Sequence, residues 1–176
     1  MDRFVVVDVE TANRSRASIC QIGLVVVEGG VIVEEVQTLI DPDQSFDPMN
    51  IAIHCITPED VRAAPTFPIG FEGIESHFYG HPVLGHSNFD KGAFRAEFAR
   101  WGFPVGDIHW GDTIPIIRKG FPKLEGGYSL KNLTAHFGIR FRHHDALEDA
   151  RAAAQITIRA LEHIEGTPWE VMKFRV

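Results

Sequence analysis

The sequence predicts an α/β fold, a mixed central sheet of about five strands with helices on both faces. Three observations point there. The chain begins with an unbroken apolar β-type run, Phe4-Val5-Val6-Val7, as expected of a central strand covered on both sides. Two more strand-like runs follow, joined by Gly29-Gly30, a hairpin turn signal. Beyond them helical patterns alternate with short β-type runs, which sets helices against a sheet. At 176 residues the chain fits one domain with a sizeable core, and 44% hydrophobic with 23% charged residues is an ordinary soluble composition.

In order, strands are expected at 4–7, 19–27 and 31–39, followed by a turn-rich loop over 41–48 that carries Pro42, Asp43, Ser45, Asp47 and Pro48. Thr57-Pro58-Glu59-Asp60 reads as a helix start: a cap, proline at the first helical position and acids in the first turn. Residues 67–78 are expected to be helical despite two internal glycines, and 81–85 to form a short strand. The next helix spans 91–101, where Ala93, Phe94, Phe98 and Trp101 share one face suited to core packing. A strand at 108–110, a helix at 128–137 ended by Gly138, and a last helix over 145–164 complete the pattern. Residues 1–165 thus make one domain. Residues 166–176, with Pro168, Trp169, Val171, Met172 and Phe174, form an apolar tail that folds back, pairs with another subunit or begins a linker.

No run is long enough for a membrane span, and the four apolar residues after Met1-Asp2-Arg3 are too few for a signal peptide, so a cytoplasmic protein is expected. Cys20 and Cys55 lie in apolar surroundings without metal-type spacing and read as reduced core thiols. The net charge of −7 is unevenly spread. Residues 1–75 hold four Lys/Arg against thirteen Asp/Glu, whereas residues 118–144 hold six (Arg118, Lys119, Lys123, Lys131, Arg140, Arg142) against Glu125 alone. That segment is either a patch that tracks phosphates or a solvated basic face.

Acids stand where a core strand should end. A period of two puts Asp8 and Glu10 on the face of Phe4 and Val6. Either the strand has emerged into solvent there, or the two carboxylates share a cation or else have a raised pKa; oxygen-only ligands fit Mg²⁺ or Mn²⁺ rather than zinc. Asp90, just ahead of the helix at 91, is either a plain N-cap or a third acid at the carboxyl end of the sheet, where ligands of such folds bind. In His143-His144-Asp145-Ala146-Leu147-Glu148-Asp149, Asp145 and Glu148 form a variant of the capping box. The cap makes His144 the residue before it and Asp149 the fourth helical residue, two positions that meet at a helix mouth. Apolar residues usually fill them. His143 either flanks this turn or adds charge near phosphate with Arg140 and Arg142, and His77, His81, His109, His136 and His163 show no partner pattern.

The order Asp8-x-Glu10-Thr11, Phe89-Asp90, His144-x-Ala-x-x-Asp149 resembles the DEDDh family of 3′–5′ exonucleases, whose best-known member is the proofreading epsilon subunit of bacterial DNA polymerase III. Ile53-His54-x-Ile56-Thr57 and Tyr128-Ser129-Leu130-Lys131-x-Leu133 belong to the same likeness, which runs from Arg3 to about Leu161. The resemblance implies a ribonuclease H-like fold. It implies that Asp8, Glu10, Asp90 and Asp149 hold two divalent cations, Mg²⁺ or Mn²⁺, with Asp8 bridging them and His144 as general base. Thr11, Ala12, His54 and Asn88 would face the substrate. Two features depart from the family pattern: His86-Ser87-Asn88-Phe89-Asp90 is one residue shorter than the usual second motif, and Cys55 stands where glycine is frequent.

The reaction so implied is hydrolysis from the 3′ end of DNA, single-stranded or frayed, to nucleoside 5′-monophosphates. Two cations about 3.5–4 Å apart can serve both the attacking and leaving oxygens. An RNA exonuclease of the oligoribonuclease or tRNA-trimming kind shares the mechanism, and a 2′-hydroxyl contact would separate the two. A non-catalytic nucleic-acid-binding module would be expected to lack part of the site, and this chain has all five residues. Expected partners are a DNA or RNA 3′ end and a DNA polymerase or repair protein, with no membrane; the oligomeric state is left open.

Overall fold

The computed structural model describes residues 3–104 and 106–172. Strands β1 (Phe4–Thr11), β2 (Ile19–Glu28) and β3 (Val31–Leu39) form an antiparallel meander. Strands β4 (Pro82–Gly85) and β5 (His109–Asp112) add in parallel, giving the order β3-β2-β1-β4-β5. The sheet is therefore mixed and five-stranded, as expected, with β1 at its centre.

Phe4, Val5, Val6 and Val7 are all fully buried, each contributing about 1.5–3 kcal/mol by leaving water. Strand alternation divides them between two cores. Val5, Val7 and Val9 meet Phe67, Phe71, Phe78 and Phe94, presented by α3 (Phe67–Glu72), α4 (Phe89–Trp101) and the 3-10 turn Glu75–Phe78. Phe4 and Val6 meet the apolar faces of α5 (Thr113–Gly120), α6 (Leu130–Phe137) and α7 (Ala146–Glu162). Phe94, Phe98 and Trp101 belong to the first core, as their spacing predicts.

Several expectations need correction. The loop at 41–48 leads into a helix the sequence reading passed over, α1 (Pro48–His54), whose N-cap Asp47 accepts a hydrogen bond from the Met49 amide at 2.9 Å. The signal was Asp47-Pro48 itself, a cap followed by proline at the first helical position. Helix α5 was also missed; it starts directly after β5 on the cap Asp112, leaving no loop to mark the boundary. The helix expected over 67–78 ends at Glu72, with Gly73 as its cap, and resumes as the 3-10 turn. Helix α2 (Pro58–Val61) starts at the expected cap Thr57, whose amide donates to Asp60 Oδ2 at 2.8 Å. Cys20 is buried but Cys55 is exposed, so only the first is a core thiol.

The tail folds back over its described part. Helix α8 (Pro168–Met172) packs against α5, Val171 joins the second core, and the Trp169 ring meets His109 at 4.7 Å. Phe174 lies outside the described residues. Among these, no helix is long and apolar enough to cross a membrane.

One glycine fixes where α7 begins. Gly23 of β2 lies opposite Asp8, and a Cβ there would collide with the Ala146 carbonyl and the Leu147 amide. The first turn of α7 thus rests directly on the β1–β2 pair. Gly23→Ala should cost about 3 kcal/mol, because the obstruction is backbone that cannot rotate away. Urea denaturation measures this; an unchanged midpoint would mean that α7 is free to lift off the sheet.

Candidate active site

Asp8 and Glu10 occupy the carboxyl end of β1 on the face of Phe4 and Val6, where the strand period predicts them. The strand has not emerged into solvent: helix α7 covers this face. Gln21, opposite Glu10, accepts a hydrogen bond from the Ala146 amide at 2.9 Å and so holds one of the orphan donors of the helix start. Asp149 then falls above the strand end. One carboxylate oxygen each from Asp8, Glu10 and Asp149 lie within 4.8 Å of one another.

Asp90 arrives from the neighbouring parallel strand. β4 stops at Gly85, and the chain turns through Ser87, at φ 138°, into α4. Asn88 is the N-cap and makes no side-chain cap bond, so Asp90 is the second helical residue rather than the cap. Its buried carboxylate accepts the Val9 amide at 3.3 Å, a β1 donor beyond the last β4 pairing. Gly85 makes room for it, since a Cβ there would sit 2.7 Å from Asp90 Oδ2. The four acids line one cleft of about 250 Å³ together with His143 and His144.

The helix mouth differs from expectation in detail. Asp145 caps α7 by accepting the Glu148 amide at 3.3 Å and takes a second bond from Gln37 Nε2 at 2.9 Å. The reciprocal half of the capping box is not made, because the Glu148 carboxylate pairs with Arg151. His144 turns the chain at φ 63° and gives Asp149 Oδ2 its backbone amide, at 2.8 Å. The imidazole on Asp149 is that of His143, with Nδ1 2.7 Å from Oδ1. The left-handed turn at His144 thus puts the ring of His143 on Asp149, a partnership the residue spacing did not reveal. The two imidazoles stack at 4.1 Å, and His144 Nδ1 points to Glu10 Oε1 at 4.0 Å.

Burial, then mutual repulsion, dominates the electrostatics. Burial and the charges of Asp90, Asp149 and Glu10 push Asp8 well above the usual carboxylate range. Glu10 is pushed up to about 8 by burial and then by Asp149 and Asp90, and Asp90 up to about 7, chiefly by burial. Asp149 is raised by burial, against the opposing pull of His143. His144 is lowered by burial and by its neighbour His143, which favours a neutral ring. Acids this close, with no lysine or arginine among them in the cleft lining, form a hard-oxygen donor set that fits a small divalent cation.

The expected substrate-side residues lie apart from that lining. Thr11 and Ala12 are buried, and the amide and carbonyl of Ala12 are taken by Ser18 and Asp47. His54 accepts the Ile56 amide on Nδ1 at 2.9 Å, which leaves Nε2–H to donate to the Thr11 carbonyl at 3.2 Å. Asn50 donates to the same carbonyl at 2.8 Å, so α1 braces the end of β1. Cys55 adopts the left-handed conformation, φ 64°, that the family's glycine would suit, at a cost of roughly 1–2 kcal/mol. Asn88 is exposed at the start of α4. His86, which the sequence reading left without a role, buttresses the cleft: one ring nitrogen meets Thr113 Oγ1 at 2.7 Å, the other the Tyr128 carbonyl at 3.0 Å.

Comparison with known proteins agrees with this arrangement. The sequence profile of the exonuclease family RNase_T matches residues 5–157. The 3′–5′ exonuclease DinG of Bacillus subtilis is 31% identical over 176 residues, covering 97% of this chain and 19% of that protein. The PolC-type DNA polymerase III of Thermotoga maritima is 33% identical over 171 residues, covering 90% of this chain and 12% of its own. The chain thus spans a fifth or less of these relatives. Among solved structures, Exonuclease X in complex with 5′ overhanging duplex DNA shares the fold, with TM-score 0.74 and 24% identity over 97% of this chain and 98% of that one. The chain belongs to the exonuclease family, and its Asp8, Glu10, Asp90, Asp149 and His144 gather in one cleft.

Proposed function

We propose that this domain is a 3′–5′ exonuclease that depends on two divalent cations, Mg²⁺ or Mn²⁺, and releases nucleoside 5′-monophosphates from single-stranded or frayed DNA ends. The observation that carries the reading is the convergence of four buried or half-buried carboxylates in one cleft that also holds the His144 imidazole, which burial and His143 keep towards its neutral form. Family membership and the relatives named as a 3′–5′ exonuclease and a DNA polymerase support it. The polymerase relative also supports a DNA polymerase or repair protein as partner.

Asp8, Glu10, Asp90 and Asp149 would hold the cations, Asp8 from the centre of the strand end. Bound there, two divalent cations supply positive charge to the attacking and departing oxygens and lower the pKa of the attacking water. His144 takes the proton of that water as its oxygen adds to phosphorus. The bond from phosphorus to the 3′ oxygen of the preceding nucleotide then breaks, that oxygen is protonated from solvent, and the phosphate leaves on the terminal nucleotide. His143 and the His144 amide hold both oxygens of Asp149 in place.

Without cations the acids favour their protonated forms in the fold. Glu10 at about 8 and Asp90 at about 7 stand above their unfolded values near 4, so the folded protein binds more protons than the unfolded one. Their contribution to stability is greatest below about pH 4 and is lost as pH rises towards 8. The melting temperature of cation-free protein should therefore fall from about pH 5 to 8, and Mn²⁺ should raise it more at pH 8 than at pH 5. Equal Mn²⁺ effects at the two pH values would contradict the assignment of these acids.

His144→Ala should lower turnover about 10²- to 10⁴-fold, with Mn²⁺ binding retained in calorimetry. Unchanged turnover would remove His144 from the reaction. Matched DNA and RNA oligonucleotides, assayed side by side with the wild type, decide the sugar preference; faster RNA cleavage would overturn the DNA assignment.

A further inference from the structure

We propose that Arg16 is a strand-binding residue: seated on Gly92 and the Phe89 ring beside the acidic cleft, its guanidinium takes the phosphate of a second nucleotide behind the one being removed. The inference rests on the exonuclease reading and extends it to substrate length, favouring a continuous single strand over an isolated nucleotide.

Arg16 lies exposed in the connection between β1 and β2. Its Cζ stands 5.6 Å from the centre of the Phe89 ring. Phe89 lines the cleft beside Asp90 and is 42% exposed, unusual for so large an apolar side chain. A Cβ on Gly92, one helical turn along α4, would overlap Arg16 Nη1, so the arginine lies across a gap that this glycine provides. The connection is tied by its own side chains: the Ser15 amide donates to Asn13 Oδ1 at 2.8 Å, and Ser18 Oγ to the Ser15 carbonyl at 2.6 Å. Arg14 is paired with Asp47, whereas Arg16 meets no carboxylate among the described residues. No acceptor among the described residues takes its N–H donors, which leaves the fork of the guanidinium available to a phosphate. In a region where only four Lys/Arg stand against thirteen acids, an unpaired arginine next to the cleft is the group a polyanion would meet.

The test compares wild type, Arg16→Ala, Arg16→Lys and Gly92→Ala in Mn²⁺. Two substrates are used: a single-stranded DNA oligonucleotide and the p-nitrophenyl ester of thymidine 5′-monophosphate, which has one phosphate. For Arg16→Ala, the oligonucleotide KM relative to the ester KM should rise roughly five- to tenfold, and the salt dependence of log KM should lose about one unit of slope. Arg16→Lys keeps the charge but not the planar fork of donors and should fall between. Gly92→Ala displaces Arg16 yet removes a glycine from a helix, so its Tm should rise by about 1–3 °C while its KM ratio rises too. That pairing separates a binding role from a packing role. A wild-type KM ratio and salt slope in Arg16→Ala overturn the inference. A wild-type protein that cleaves neither substrate refutes the exonuclease reading, and the role of Arg16 with it.

Discussion

Four carboxylates at the end of a buried strand repel one another and lose hydration, and much of the fold holds them together against both effects. A lone buried carboxylate would protonate or swing to water. Here the second escape is closed, because the acids sit on three elements that cannot move independently. β1 is locked between β2 and β4 with its leading residues fully buried. α7 is fastened to β2 by Gln21 and by the close approach over Gly23. α4 is tied to β1 by the bond from the Val9 amide to Asp90. The repulsion is thus a property of the rigid frame, relieved by protons or by cations rather than by rearrangement.

That frame also explains why small residues stand where they do. Gly23 and Gly85 both occur where a side chain would strike a group belonging to the site: the first turn of α7 in one case, the Asp90 carboxylate in the other. Each lies on a strand in ordinary extended conformation, so close approach and not turn geometry requires glycine. His54 and His86 act from outside the acids in a comparable way. Each uses both ring nitrogens on protein partners, bracing the end of β1 and the turn after β4.

The central part of this was legible in the sequence because it follows from short-range geometry. Alternation along a strand put Asp8 and Glu10 on one face, and the cap at Asp145 brought His144 and Asp149 to one mouth. What stayed hidden depended on long-range contacts or on single backbone angles. The left-handed turn at His144, which puts the ring of His143 on Asp149, leaves no mark in residue spacing. Asp90 could be read as an N-cap because α4 starts at Phe89, two residues ahead of the start expected at 91, on an asparagine whose side chain makes no cap bond. Helices α1 and α5 are short, and their proline and loop-like first residues outweighed the caps Asp47 and Asp112. Cys55 looked buried from its apolar neighbours, but as the cap after α1 it points to solvent.

Charge balance connects the site with the outer surface. A chain of net charge −7 with an acidic first half should repel a nucleic acid, most strongly at the acid cluster itself. On the proposed reading, two divalent cations against four carboxylates leave that cluster formally neutral, so the repulsion is removed where the scissile phosphate must come. The basic residues then need only guide the rest of the strand. Those of 118–144 are exposed on α5, α6 and the loops around them, and the Tyr128–Leu130 segment among them reaches the cleft through His86 and Leu130. Arg16 stands on the α4 side, over Phe89. On the same reading the cations act at the scissile phosphate, whereas Arg16 and the basic residues of 118–144 act farther along the strand, each over the roughly 10 Å that ordinary salt leaves unscreened.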